Sequence, residues 1–329
     1  MKSASIMLMS TKNSSIKIIT ILSSRILYNY VNERTKTTPM KLLMYTTQNN
    51  HQAQVGISIQ SGGKEKVLAL HSIAPNLPAS IQELIQSNTL SQVMETLSKP
   101  YQAQWYEMDE IKFLPPLLHP GKILCIGLNY RDHALEGGRE IPAYPTIFTK
   151  ATTSLIAHNE TILLSQQSNQ TDYEAELAVV IGKTAFGVLR HDALSHVAGY
   201  TILNDVTARD YQQRTSQWTM GKSFDTFAPT GPYFVTADEI PNPGTLEISA
   251  NLNGEEVQHS NTKQLIFDVP FLIEYISAVM TLEPGDIIST GTPAGVGVYR
   301  NPQRFLQPDD VISISVEGLG TLTNTVQNR

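Results

Sequence analysis

Asp172-Tyr173-Glu174-Ala175-Glu176-Leu177 runs straight into the apolar Ala178-Val179-Val180-Ile181. The run reads as a buried strand, and residues two apart in a strand share a face, so Glu174 and Glu176 project together. Burying two anions side by side costs several kcal/mol unless a cation neutralises them, which points to a bound divalent metal. Asp205 offers a third ligand. It follows a second apolar run, Val197–Asn204, where a strand hands over to the polar Thr207-Ala208-Arg209-Asp210. Three carboxylates with no Cys or His among them describe a hard oxygen site, suited to Mg2+ or Mn2+ rather than zinc. A plainer arrangement fits the same spacing: Glu174 and Glu176 on the wet face of a surface strand, with Asp205 as a helix N-cap.

With 329 residues, 41% of them hydrophobic, the chain has material for one large or two modest domains with a substantial core. A net charge of -6 and a pI near 5.8 supply no basic stripe for a phosphate backbone, so no nucleic-acid partner is expected. Cys125, inside Ile123-Leu124-Cys125-Ile126, is the single cysteine; it excludes an intramolecular disulfide and reads as a buried structural thiol in a reducing compartment. No apolar run approaches the roughly 20 residues of a membrane span, so no membrane partner is expected either. Residues 1–39 differ in composition: Lys2, Lys12, Lys17, Arg25, Arg34 and Lys36 are opposed only by Glu33. That pattern fits a mitochondrial transit peptide, and equally a start codon upstream of Met40, which would place the protein in the cytoplasm.

Residues 40–116 read as a small N-terminal α/β unit. Gln54-Val55-Gly56-Ile57-Ser58-Ile59 alternates as a strand, Gly62-Gly63 makes a turn and Val67-Leu68-Ala69-Leu70 returns as its partner. Residues 80–97 carry Ile81, Leu84, Ile85, Leu90, Val93, Met94 and Leu97 at the spacing of one or two amphipathic helices. Pro115, Pro116 and Pro120 read as a linker to a catalytic domain over 117–329. There, Gly- and Pro-punctuated short strands predict an α+β, mostly β fold. Asn253-Gly254 after the alternating Leu246-Glu247-Ile248-Ser249-Ala250-Asn251-Leu252 predicts a type I′ hairpin. Residues 265–280 predict one helix with Phe267, Phe271, Leu272, Tyr275, Ile276 and Val279 as its buried stripe. Neither a dinucleotide fingerprint nor a P-loop is present.

Three further stretches carry chemistry. In Gly127-Leu128-Asn129-Tyr130-Arg131-Asp132-His133-Ala134-Leu135-Glu136, His133 and Glu136 share a face if the segment is helical. A carboxylate beside an imidazole orients the ring and raises its basicity, as a general base requires, although the same spacing also makes an ordinary surface pair. Lys222, in Gly221-Lys222-Ser223-Phe224-Asp225, is either a solvated loop charge or an anion clamp that balances developing charge. Thr292, in Gly291-Thr292-Pro293-Ala294-Gly295-Val296-Gly297, is either an ordinary turn residue or a hydroxyl offered to a substrate carboxylate.

In this order, the motifs Gly-Leu-Asn-Tyr-x-Asp-His, Asp-Tyr-Glu-x-Glu-Leu, Asn-Asp-Val-Thr-Ala-Arg-Asp, Gly-Lys-Ser-Phe-Asp and Thr-Gly-Thr-Pro-x-Gly-Val-Gly resemble the fumarylacetoacetate hydrolase family over residues 122–326. The Gly297-Val298-Tyr299-Arg300-Asn301-Pro302 tail and the unit after Met40 look most like its mitochondrial domain-containing-protein-2 subgroup. The resemblance implies a β-sandwich roll of mixed sheets and a homodimer. It implies Mg2+ (Mn2+ or Ca2+ as substitutes) on Glu174, Glu176 and Asp205, and a His133–Glu136 base on a short lid helix. Lys222 and Gln212 would hold substrate oxygens, and Thr292 the substrate carboxylate. One departure stands out: the namesake hydrolase has a fourth carboxylate ligand seven residues before its histidine, where this chain has Ile126. The implied substrate is a small anionic 2-oxo acid that reacts through an enolate stabilised by the metal. The leading expectation is oxaloacetate keto–enol tautomerisation, with acylpyruvate (2,4-dioxo acid) C–C hydrolysis and oxaloacetate decarboxylation as alternatives. A non-catalytic dicarboxylate-binding protein is the alternative of a different class.

Overall fold

The computed structural model describes residues 40–97 and 103–329, so the leader discussed above lies outside the described residues. The chain opens with strands β1 (Lys41–Thr47), β2 (Asn50–Ser61) and β3 (Lys64–Ala69), followed by helices α1 (Ile81–Gln86) and α2 (Leu90–Leu97). The β2–β3 hairpin forms in the register the alternation predicts, with Ile57 opposite Leu68. The helical stretch splits in two. Ser80 caps α1 by accepting from the Glu83 N–H at 3.1 Å, and Asn88, at φ 55°, turns the chain before Leu90.

Strands β4 (Trp105–Glu107) and β5 (Ile111–Leu114) complete this part. The strands β6 (Ile123–Gly127), β7 (Thr146–Thr149), β8 (Leu155–Ile156), β9 (Ile162–Leu164), β10 (Thr171–Asp172), β11 (Ala175–Ile181), β12 (Val197–Asn204), β13 (Thr207–Ala208) and β14 (Ala228–Thr236) follow. The last five are β15 (Glu247–Leu252), β16 (Glu255–Asn261), β17 (Ile287–Ser289), β18 (Val311–Val316) and β19 (Gly320–Asn328). Helix α3 (Arg131–Glu136) follows β6, α4 (Arg209–Gln212) and α5 (Thr219–Lys222) precede β14, and α6 (Val269–Ser277) precedes β17.

A long mixed sheet runs β4-β3-β2-β1-β14-β12-β11-β17-β6-β7, and a five-stranded sheet runs β16-β15-β18-β19-β9. The first sheet is continuous across residue 116, because β1 pairs antiparallel with β14, Leu42 opposite Phe234. Strand β11 is buried at every position. Leu177, Val179 and Ile181 point into a core shared with Ile248, Ile312 and Leu322 of the second sheet; Ala178 and Val180 point to the other face, where Leu42, Ile81 and Leu84 pack. A strand covered on both faces must be apolar throughout, which is why the run after Glu176 does not alternate.

Asn253 (φ 53°) and Gly254 (φ 85°) make the predicted hairpin turn between β15 and β16. Helix α6 is shorter than its periodicity predicts. Asp268 caps it by accepting from the Phe271 N–H at 3.0 Å, and the helix ends at Ser277, so Phe267 precedes it and Val279 is 76% exposed rather than buried. Among the described residues no helix is long and apolar enough to cross a membrane.

Candidate active site and metal centre

The carboxylates meet where β11 begins and β12 ends. Glu174 sits in the gap between β10 and β11, and its N–H donates to Asn204 Oδ1 at 3.0 Å while its carbonyl accepts from the Asp205 N–H at 3.0 Å. These bonds tie the two strand ends together. Glu176, two residues on, emerges on the same side. The wet-face alternative is thereby excluded: Glu174 is 5% exposed, Glu176 1% and Asp205 0%, and ligand oxygens of all three lie within 4.8 Å of one another. This donor set fits a hard divalent cation.

Three buried cations surround the trio. Lys222 Nζ bridges Glu174 Oε2 at 2.7 Å and Asp205 Oδ2 at 2.6 Å. Arg209 Nη1 lies 2.7 Å from Glu174 Oε1. Lys150 Nζ, at the end of β7, bonds Asp205 Oδ1 at 2.7 Å, the Val206 carbonyl at 3.1 Å and the Lys222 carbonyl, using all three of its N–H donors. Glu176 is different. It accepts from Ser289 Oγ at 2.5 Å and the Gly291 N–H at 3.0 Å, with no basic side chain in contact.

The electrostatics follow this asymmetry. Burial works to raise the Glu174 pKa, but Lys222 and Arg209 prevail and hold it at about 2. Burial, then the Asp205 and Glu174 charges, push Glu176 well above the usual carboxylate range. For Lys222, burial favours the neutral amine, yet Asp205 and Glu174 outweigh it and keep the ammonium. The position between Glu174 Oε2 and Asp205 Oδ2 therefore already attracts a cation, and Glu176 supplies the third carboxylate that a divalent ion would use.

Helix α3 places the His133–Glu136 pair. His133 Nδ1 lies 3.3 Å from Glu136 Oε2, while Glu136 Oε1 accepts from the Gly295 N–H at 2.9 Å. With Nδ1 engaged, Nε2 is the ring nitrogen left to meet a ligand. Below the helix, Asn129 pins the strand end by donating to the carbonyls of Phe267 (3.0 Å) and Thr290 (2.7 Å). Gln212 accepts from Arg209 Nη1 at 3.1 Å through Oε1, which turns its amide N–H2 toward other partners. Thr292 Oγ1 accepts from Gln258 Nε2 at 2.9 Å and so keeps its own proton to donate. The same Gln258 side chain accepts the Ala175 N–H at 3.0 Å, joining the Thr292 turn to the start of β11.

His133, Glu174, Glu176, Gln212, Lys222 and Thr292 all line one cavity of about 240 Å³; Asp205 lies behind Lys222, and Glu136 behind His133. Ile126 lines it as well. Three residues were not legible as site residues. Lys150 ends a strand and carries no local mark distinguishing it from a surface lysine. Arg209 also lines the cavity, its Nη2 buried without a hydrogen-bond partner. Asp172 is fully buried and accepts from Arg209 Nε at 2.8 Å and from the N–H groups of Tyr173, Gly297 and Val298 at 2.7–3.0 Å. The only signal of Arg209 and Asp172 was adjacency to the acidic motifs.

Residues 122–327 match the fumarylacetoacetate (FAA) hydrolase C-terminal family, and the chain belongs to the fumarylacetoacetate hydrolase family. It is 39% identical over 291 residues to a human protein named oxaloacetate tautomerase FAHD2A, mitochondrial, covering 87% of this chain and 91% of that one. It is 48% identical over 221 residues to the Dictyostelium discoideum fumarylacetoacetate hydrolase domain-containing protein 2 homolog, covering 64% and 72%. Among solved structures it is similar to a fumarylacetoacetate hydrolase from Exiguobacterium antarcticum (TM-score 0.74, 35% identity, 88% of this chain and 100% of that one). A second is a 5-carboxymethyl-2-hydroxymuconate delta-isomerase from Mycobacterium smegmatis (TM-score 0.70, 32% identity, 88% and 100%). These relatives are named as isomerases, tautomerases and hydrolases, and this chain is an enzyme of their family.

Proposed function

We propose that this enzyme catalyses keto–enol tautomerisation of oxaloacetate with Mg2+ held by Glu174, Glu176 and Asp205. The observation that carries the reading is the convergence of Glu174, Glu176 and the His133 ring on one small cavity, with Asp205 within ligand distance of both carboxylates. The relatives named oxaloacetate tautomerase support it. When bound, Mg2+ would supply Lewis-acid polarisation of the 2-oxo acid head.

The chain's own residues account for the rest. His133 Nε2 takes the proton from the carbon next to the keto group and delivers it to the keto oxygen to give the enol, or carries it from the enol hydroxyl back to that carbon in the reverse direction, with Glu136 steadying the charged ring. Lys222, the free Nη2 of Arg209 and the Gln212 amide face the substrate's oxygens as they gain charge. Thr292 donates its hydroxyl proton to the carboxylate. The His133–Glu136 pair is also what activation of water would need, which favours acylpyruvate hydrolysis as a second reading.

The enol absorbance of oxaloacetate, followed on adding the purified full chain with Mg2+ and then a chelator, tests the proposal. Metal-dependent acceleration with oxaloacetate retained as the keto form supports it. No acceleration, with cleavage of acylpyruvates instead, would replace tautomerisation by hydrolysis. A mitochondrial location belongs to the same proposal, supported by the relatives' names. So does a homodimer, supported by exposed Phe186, Leu189 and Val279 around the end of α6; light scattering at a monomer mass would remove it.

A further inference from the structure

The polar groups above leave one side of the cavity unexplained. Phe148 and Trp218, packed in one apolar cluster, line it there. Strand β6 ends at Gly127, and a Cβ placed there would lie 2.2 Å from Cζ3 and 2.8 Å from Cη2 of Trp218. The indole thus fills the volume that any other residue's side chain would take. Glycine is required at 127 for this close approach.

A further contact holds the ring. Phe148 meets it edge-to-face, with centroids 5.4 Å apart at 63°, and the Lys222 ammonium lies 5.0 Å from the Phe148 ring centre. The Trp218 carbonyl accepts the N–H groups of Gly221 at 2.9 Å and Lys222 at 3.2 Å, so the same residue begins the turn that presents Lys222. The half-buried indole, packed on Gly127 and Phe148, is thus the large apolar surface at this end of the cavity.

We propose that Trp218, seated against Gly127 and Phe148, limits the length of the substrate arm, so that the cavity favours short 2-oxo acids and turns away those with long acyl arms. This rests on the 2-oxo acid reading above and narrows it. A rigid apolar pocket discriminates by about tenfold or more per added methylene group that does not fit.

The test uses the full chain with Mg2+ and calorimetric titration of oxamate, N-propyloxamate and N-hexyloxamate, which keep the 2-oxo carboxylate head, lengthen the arm and do not turn over. In the wild type the Kd ratio of N-hexyloxamate to oxamate should be at least about tenfold, and Trp218→Ala should reduce that ratio to within about threefold. Trp218→Leu, a smaller excavation, gives an intermediate ratio and decides the matter if the alanine variant fails to fold. Equal ratios in wild type and variants, with oxamate still bound, would overturn the wall and leave the 2-oxo acid reading standing. Failure of the wild type to bind oxamate at all would overturn both.

Discussion

The two ends of the long sheet are built from the same kind of strand and filled with opposite kinds of side chain. Around β1 to β5 the interior is Leu42, Met44, Ile57, Leu68, Ile81 and Leu84, with only Thr47 and Ser58 as buried polar residues among the described residues before 117. Around β6, β11 and β12 the interior holds Glu174, Asp205, Lys150, Arg209 and Lys222 within one hydrogen-bonded cluster, with buried Glu176 beside it. Apolar burial stabilises a fold at every position, whereas each buried charge must recover its desolvation from a partner. The first end is therefore organised for stability. The second accepts a cost that only its chemistry explains.

Substitutions should separate the two ends, and the largest effects belong to the acidic trio. Asp205→Asn should lower turnover by about 10³-fold or more. It should also lower Tm, because Lys150 and Lys222 both lose a charged partner in a dry site. Glu176→Gln should be as damaging to turnover and metal binding yet leave Tm unchanged or raised, since no basic side chain depends on it; melting curves beside rate assays decide this. A lower Tm for Glu176→Gln than for Asp205→Asn would break the division within the site. His133→Ala should cost about 10² to 10⁴ in rate, and retention of Mn2+ affinity in that variant, read by electron paramagnetic resonance, would separate the base from the metal ligands.

At the other end, Leu42→Ala should cost about 2–5 kcal/mol in urea unfolding while kcat stays at the wild-type value. A matching fall in kcat would mean that the ends are not independent.

The smallest expected effect lies at the seam. His158 Nδ1 accepts the Thr323 N–H at 3.0 Å, and the ring packs edge-on against Phe113 of β5. Burial, only partly opposed by Glu65, lowers its pKa from 6.5 to about 4. The fold thus favours the neutral ring: its contribution is complete above about pH 6.5 and is lost as pH falls toward 4. Tm measured between pH 7 and 4 should fall less steeply in His158→Asn than in the wild type.

What the sequence made legible divides along the same line. Glu174, Glu176 and the His133–Glu136 pair were visible because spacing within a strand or a helical turn is a local property, and Asp205 because it ends an apolar run. Lys150 was not, because its partners are Asp205 and Lys222, 55 and 72 residues away. Arg209 and Asp172 were in view as neighbours of the motifs, but their ion pair spans two segments that only the fold brings together. Val279 misled because apolar periodicity continues past the point where the helix stops. The joining of β1 to β14 is a register between residues 41–42 and 234–235, about which neither segment alone carries information.

That pairing has a practical consequence for anyone cutting the chain. Strand β14 is an interior strand, flanked by β12 on one side and β1 on the other. A fragment beginning at residue 117 would lose β1 and leave the backbone donors and acceptors near Phe234 and Val235 as a bare, apolar edge, the kind of surface on which chains stack into aggregates. The N-terminal strands thus act as a cover for β14, keeping that edge from recruiting other copies of the chain.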